Sequence, residues 1–251
     1  MASAAKRLIV TAEGFGTSQG VNRGILKAHK EGIVTSTTLQ VQGTNAQEAA
    51  ALGQEAPTLG LGLCFVFTGA QPLLPPGEVP SLVDPSGRFH GEVKALALAR
   101  LDDVLAEART QLRRFRELTG ARPTHFDALS SAQALPVVLE ALLTLAWETG
   151  LPIRSTSPAM RERLRYERIA TPDHVIDDFS GPEASVERLA RALAGVPLGT
   201  SELLCRPAET EGETAGPDAA LRQRELQILM DPEARQAIQA GGIKLVAYGA
   251  A

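Results

Sequence analysis

Short apolar runs alternate with amphipathic stretches along the whole chain, and the period of the apolar positions switches between about two and about 3.6. Residues 7–13 read as a strand that passes through a glycine-containing turn into a helix over about 20–31. Residues 35–41 are rich in β-branched side chains and predict a second strand, followed by an alanine-rich helix over 45–55. A third strand is expected at 59–68, and the 101–119 stretch places Leu105, Ala108, Leu112 and Phe115 on one helical face. Short strands follow at 124–129, 152–156 and 174–179. A helix over about 183–194, a strand at 202–207, a helix over about 219–229 and a last strand at 243–248 complete the series.

Strands separated by helices throughout imply parallel pairing through right-handed crossovers. About eight such units in 251 residues match a (β/α)-barrel of the TIM type, an α/β fold in a single domain over residues 1–251. No repeat or linker divides the chain. Two irregular stretches, 69–91 with Pro72, Pro75, Pro76, Pro80 and Pro85, and the acidic 208–218, follow strand ends and are expected as active-face loops.

Composition narrows the partners. With 25 basic against 29 acidic residues and a net charge of −4, the chain carries no footprint for nucleic acid or an anionic membrane. The cluster Arg161, Arg163, Arg165 and Arg168 is interrupted by acids and reads as a solvated helix face. No apolar run is long enough to span a bilayer and no signal peptide is visible, so a cytoplasmic protein is expected, with a small-molecule substrate or ligand and a homodimer as its possible partners. Cys64 and Cys205 are too few for a disulfide framework.

Several motifs resemble one family. The opening Arg7-Leu-Ile-Val-Thr-Ala-Glu-Gly-Phe-Gly, then Gly20-Val-Asn-Arg-Gly-Ile-Leu-Lys-Ala-His and Gly32-Ile-Val-Thr-Ser-Thr-Thr-Leu, are similar to the YdjC-like carbohydrate deacetylases. So are Pro72-Leu-Leu-Pro-Pro, Val79-Pro-Ser-Leu-Val-Asp, Arg88-Phe-His, Arg122-Pro-Thr-His-Phe-Asp and Thr171-Pro-Asp-His, in order along most of the chain. The resemblance implies a barrel-type fold and metal-assisted removal of an acetyl group from an amino sugar.

The departures from that pattern fall on the chemistry. Gly14 stands at the second Asp of the opening motif, and Cys64 and Val66 at a His and an Asn of the third strand. Leu129, Ser131 and Gln133 replace a run of histidines, and Arg206 replaces a late one. A hard divalent ion needs several convergent carboxylates or imidazoles. The expectation is therefore no metal and no cofactor. Losses confined to the pocket leave two origins open, a redesigned site on a kept scaffold or a natural paralogue that has given up the metal.

Strand alternation directs Thr11, Glu13, Thr38, Gln40, Gln42, Cys64, Val66, His125, Asp127 and Leu129 inward, with Arg206 at a strand end. Phe65, Phe67 and Phe126 then face the helices. Cys64 and His125 on neighbouring strands predict a nucleophile–base dyad for ester or acyl hydrolysis, set against Cys64 as a cavity filler. A desolvated Glu13, matching the family's base, or Asp127 predicts proton abstraction instead, unless Arg206 pairs with Glu13. Thr11, Gln40, Gln42, Val66, Leu129 and Arg206 are the expected ligand contacts. A non-catalytic protein that binds a sugar or small molecule is the third reading. The Gly14-x-Gly16-x-x-x-Gly20 turn has the wrong spacing for a dinucleotide loop, and His29, His90, His174, Cys205 and Trp147 read as structural or surface residues.

Overall fold

The first strand runs through the middle of the molecule, buried on both faces over most of its length, as expected of a strand in a parallel sheet covered by helices. In the computed structural model, residues 5–177, 179–210 and 218–249 are described. The strands are β1 (Lys6–Phe15), β2 (Ser36–Leu39), β3 (Gly60–Phe65), β4 (Phe126–Ala128), β5 (His174–Ile176), β6 (Gly199–Cys205) and β7 (Lys244–Leu245). All pairings are parallel, in the order β4-β3-β2-β1-β6-β5, and β7 pairs the start of β1. The sheet is thus an open half-barrel rather than the expected closed (β/α)-barrel. Residues 152–156, expected as a strand, contribute only one bridge, between Phe126 and Ile153.

The helices are α1 (Gln19–Glu31), α2 (Ala46–Gln54), α3 (Val93–Leu96), α4 (Leu101–Thr119), α5 (Ser130–Gln133), α6 (Pro136–Thr149), α7 (Pro158–Tyr166), α8 (Val186–Ala194), α9 (Ala219–Met230) and α10 (Pro232–Ala240). Their ends follow local chemistry. Ser18, Ser157 and Ser185 cap α1, α7 and α8 by accepting a backbone N–H from the first turn. α4 and α6 stop at Gly120 and Gly150, whose φ of 67° and 71° provide the left-handed turn that ends a helix. Among the described residues no helix is long and apolar enough to cross a membrane.

Phe65, Phe67 and Phe126 are fully buried and pack ring against ring between sheet and helices, as the alternation predicted. Residues 69–91 fold onto α4. The buried Glu107 accepts N–H bonds from Leu73 and Leu74, Asp103 holds Ser81, and Val79, Leu82 and Phe89 are buried beneath. Of the second expected loop, 211–217 lies outside the described residues.

Candidate functional site

The strand C-terminal ends gather their charge around Arg154. This side chain is 2% exposed and sits between three carboxylates, Glu13 of β1 (2.7 Å), Asp127 of β4 (2.8 Å) and Glu202 of β6 (3.2 Å). Burying a guanidinium is costly unless charge and hydrogen bonds repay the lost water. Burial opposes its charge, but Asp127, Glu202 and Glu13 more than repay that, and the arginine is held protonated well above its ordinary value. Gln133 fixes the backbone here by donating to the Arg154 carbonyl at 2.6 Å and accepting from Ala128 N–H. The sequence reading placed 152–156 in a strand but missed Arg154. Its only signal was a charge inside an otherwise strand-like run.

Asp127 shows how the balance falls for the acids. Burial raises its carboxyl pKa to about 6, although Arg154 pulls it down and Glu13 pushes it further up. The hydroxyl of Thr38 donates to Oδ2 at 3.1 Å, whereas Oδ1 is buried without a hydrogen-bond partner. Beside it, Cys64 stands in register with Asp127 across the β3–β4 pair. Burial, and then the neighbouring carboxylate, drive the thiol pKa well above its usual value. A thiolate there would face a carboxylate instead of a cation, the reverse of what activates a cysteine.

His125 does not assemble with Cys64 into the expected dyad. Its register partner across the pair is Gly62, one layer below, and a Cβ on Gly62 would lie 2.4 Å from the imidazole. The ring stacks on Tyr248 with centroids 3.7 Å apart and contacts Thr124 Oγ1 through Nδ1, while Nε2 has no partner. Burial, reinforced by Arg154, holds the imidazole well below its ordinary pKa, so it is neutral. The Tyr248 hydroxyl donates to Glu202 at 2.8 Å, and Thr11 Oγ1 donates to the same carboxylate at 2.7 Å. Thr11, His125, Glu202 and Tyr248 thus form a polar layer beneath Arg154.

Above that layer opens a cleft of two lobes that share Glu13 and Arg206. The larger, about 590 Å³, is bordered by Arg154, Ser155, Met160 and Arg163, and the smaller, about 420 Å³, by Gly14, Thr38, Gln40, Cys64 and Asp127. Glu13, Gln40, Leu129 and Arg206 line it. Glu13 is not a lone desolvated base, because Arg206 Nε approaches its Oε2 at 3.3 Å while Arg154 holds Oε1. Three expected contacts are absent from the lining. Thr11 is turned to Glu202, Gln42 donates to Glu107 and to the Val66 carbonyl, and Val66 is buried with its N–H bonded to Gln111. Arg222 of α9, not foreseen as a site residue, borders the smaller lobe. Ser155 Oγ and Arg222 Nη1 are buried without partners, as is Asp127 Oδ1.

These residues do not fit a divalent ion. Three carboxylates converge, but on a guanidinium rather than on an open centre. Among the described residues no group of three or more His, Cys, Asp or Glu side chains is placed to hold a metal.

The comparisons with known proteins point one way. The family described as YdjC-like protein matches residues 7–240. A carbohydrate deacetylase of Geobacillus stearothermophilus is 36% identical over 243 residues, 96% of each chain. A chitooligosaccharide deacetylase of Serratia marcescens is 34% identical over 97% of this chain and 98% of that one. A crystal structure of a protein from Enterococcus faecalis V583 superposes with a TM-score of 0.90 at 32% identity, covering 97% of this chain and 98% of the other.

Proposed function

Because this chain belongs to the YdjC-like family, whose matched relatives are carbohydrate deacetylases, we propose that it binds a carbohydrate-class small molecule in the same cleft without carrying out metal-dependent deacetylation. The observation that carries this reading is Arg154. A fixed monovalent cation takes up the three carboxylates at the head of the sheet, and among the described residues no other acidic or imidazole set is placed to hold a metal that would polarise an amide. A guanidinium compensates charge and donates hydrogen bonds but offers no coordination site for an attacking water.

What remains suits recognition. The cleft has the size of a small-molecule site, and Ser155 Oγ, Asp127 Oδ1 and Arg222 Nη1 offer unmatched donors and acceptors at its walls. Buried polar atoms without partners are costly, and a polyhydroxylated ligand that pairs them recovers that cost. The test is calorimetric titration with chitooligosaccharides alongside an acetate-release assay, with and without added zinc, cobalt or manganese. Saturable binding without acetate release under any condition is expected. Acetate release that rises with metal and falls with a chelator would overturn the reading.

A second reading has one observation in its favour. Asp127, with its pKa at about 6 and Oδ1 unpaired at the cleft wall, is suited to accept a proton near neutrality. Asp127→Asn then abolishes any proton-abstraction activity found, and an undiminished rate in that variant removes the reading.

A further inference from the structure

The smaller lobe of the cleft is bordered by a guanidinium nitrogen that has no hydrogen-bond partner. It is the buried Nη1 of Arg222, which lines the lobe from α9. That nitrogen lies 3.5 Å from where a Cβ would stand on Gly14. Gly14 has φ of +101°, and a Cβ there would also meet Val21 Cγ1 at 3.4 Å and Thr17 Oγ1 at 3.6 Å, so Gly14, Val21 and Thr17 form the wall beside that nitrogen.

The nearby acids are already engaged. Glu13 is shared between Arg154 and Arg206, Asp127 lies against Arg154, and Glu202 holds Arg154, Thr11 and Tyr248. Glu225, on the same helix as Arg222, turns its carboxylate to the N–H groups of Gly181 and Arg206 and to the Ser180 hydroxyl. Arg206 adds a second cation, half exposed, at the same wall. Burial, and then the charge of Arg206, lower the Arg222 pKa against the opposing pull of Glu225, Asp218 and Glu13, so the two arginines repel one another across this wall.

We infer that Arg222 and Arg206 form a subsite for a carboxylate, so that the bound molecule is an acidic sugar or sugar-like acid whose carboxylate lies in the smaller lobe between the two guanidinium groups. This rests on the reading of the cleft as a ligand-binding site and names the ligand's class. A carboxylate suits the site better than a dianion, because Arg206 already shares Glu13 and Arg222 Nη1 lacks a hydrogen-bond partner. The planar fork of a guanidinium matches two carboxylate oxygens.

The experiment has two arms. In the first, glucuronate and methyl glucoside are titrated calorimetrically into the parent chain, Arg222→Gln and Arg222→Lys. A charge-assisted pair predicts that the parent prefers glucuronate by about tenfold or more, that Arg222→Gln brings the ratio near one, and that Arg222→Lys retains part of it. A parent ratio near one, or a ratio unchanged in Arg222→Gln, overturns the subsite while leaving sugar binding intact. If neither sugar binds the parent, the cleft reading itself fails. The second arm then decides the subsite alone, by melting temperature in acetate, inorganic phosphate or chloride at matched ionic strength. Acetate must stabilise the parent beyond chloride, and more than it stabilises Arg222→Gln. Equal shifts in both chains, or a larger effect of phosphate than of acetate, overturn the carboxylate assignment.

Discussion

A guanidinium with only 2% of its surface exposed survives in a protein interior only where several carboxylates surround it, and Arg154 has three. Removing it would leave those carboxylates facing one another without a cation. Arg154→Met should therefore cost about 3–5 kcal/mol, measurable by chemical denaturation, and most of that cost would be stranded charge rather than lost packing. A variant as stable as the parent would mean that the cluster is held together by something else. The cysteines give a second prediction at this scale. Cys64 and Cys205 are buried at 5% and 0% exposure, and burial drives both thiols well above their ordinary pKa. Neither should react with a maleimide or an activated aryl ester in the native protein at pH 8, and both should react in denaturant. Rapid stoichiometric labelling of native Cys64 would restore the nucleophile reading. The sequence indicated the inward direction of Cys64 and Asp127 but not their immediate partners, which depend on which layer of the sheet each residue occupies. Arg154 was hidden for a related reason, since nothing in Pro152-Ile-Arg-Ser-Thr says that its charged member points inward.

Between elements, the decisive contact joins β3 to β4. His125 lies over Gly62 because no side chain stands there, and this close approach puts the imidazole against Tyr248 near the start of β1. A methyl group at Gly62 would come within 2.4–2.8 Å of three ring atoms, and the ring cannot move away without breaking its stack on Tyr248. Gly62→Ala should therefore destabilise the fold by about 1–3 kcal/mol through overpacking, read as a lower denaturation midpoint with little change in slope. Substituting His125 by Ala in the same background should recover part of the loss, since the clash is with the ring. Elements with one polar face were readable from their period, as α1 and α4 show. α6 is not among the elements read from the sequence, because Pro136–Thr149 is apolar on nearly every side and no stripe marks its orientation. The 152–156 stretch has strand composition, yet it makes a single bridge and uses its backbone to hold Gln133 and Ala170 in place. Composition reports the propensity of a segment, and here the tertiary partners decided the outcome.

For the whole molecule, strand alternation indicated an α/β architecture with parallel strands, but closure could not be read from it. Counting strands overestimates the sheet when a run such as 152–156 adds only a single parallel bridge beside β4, and the named strands then form an open sheet ending at β4 and β5. The site still occupies the C-terminal ends of the strands, where an α/β sheet places its ligands. That location sets the global pH response. Asp127 has a folded-state pKa of about 6 against an ordinary value of 3.8, so between those limits the folded protein binds more protons than the unfolded chain. Stability then falls as pH rises, because the slope of the unfolding free energy with pH follows unfolded minus folded proton count. The contribution is fully present below about pH 4 and is lost through about pH 6, and for a group this buried it is on the order of 2–3 kcal/mol. Other carboxylates titrate in the same range, so the parent curve alone does not isolate it. Asp127→Asn removes this one titration, and the difference between variant and parent stability, measured by urea denaturation from pH 4 to pH 7, should move in the variant's favour as pH rises. A difference that is flat across that range would show that Arg154 keeps Asp127 ionised throughout, and the carboxyl would then be a permanent anion of the cluster rather than a group that takes up a proton near neutrality.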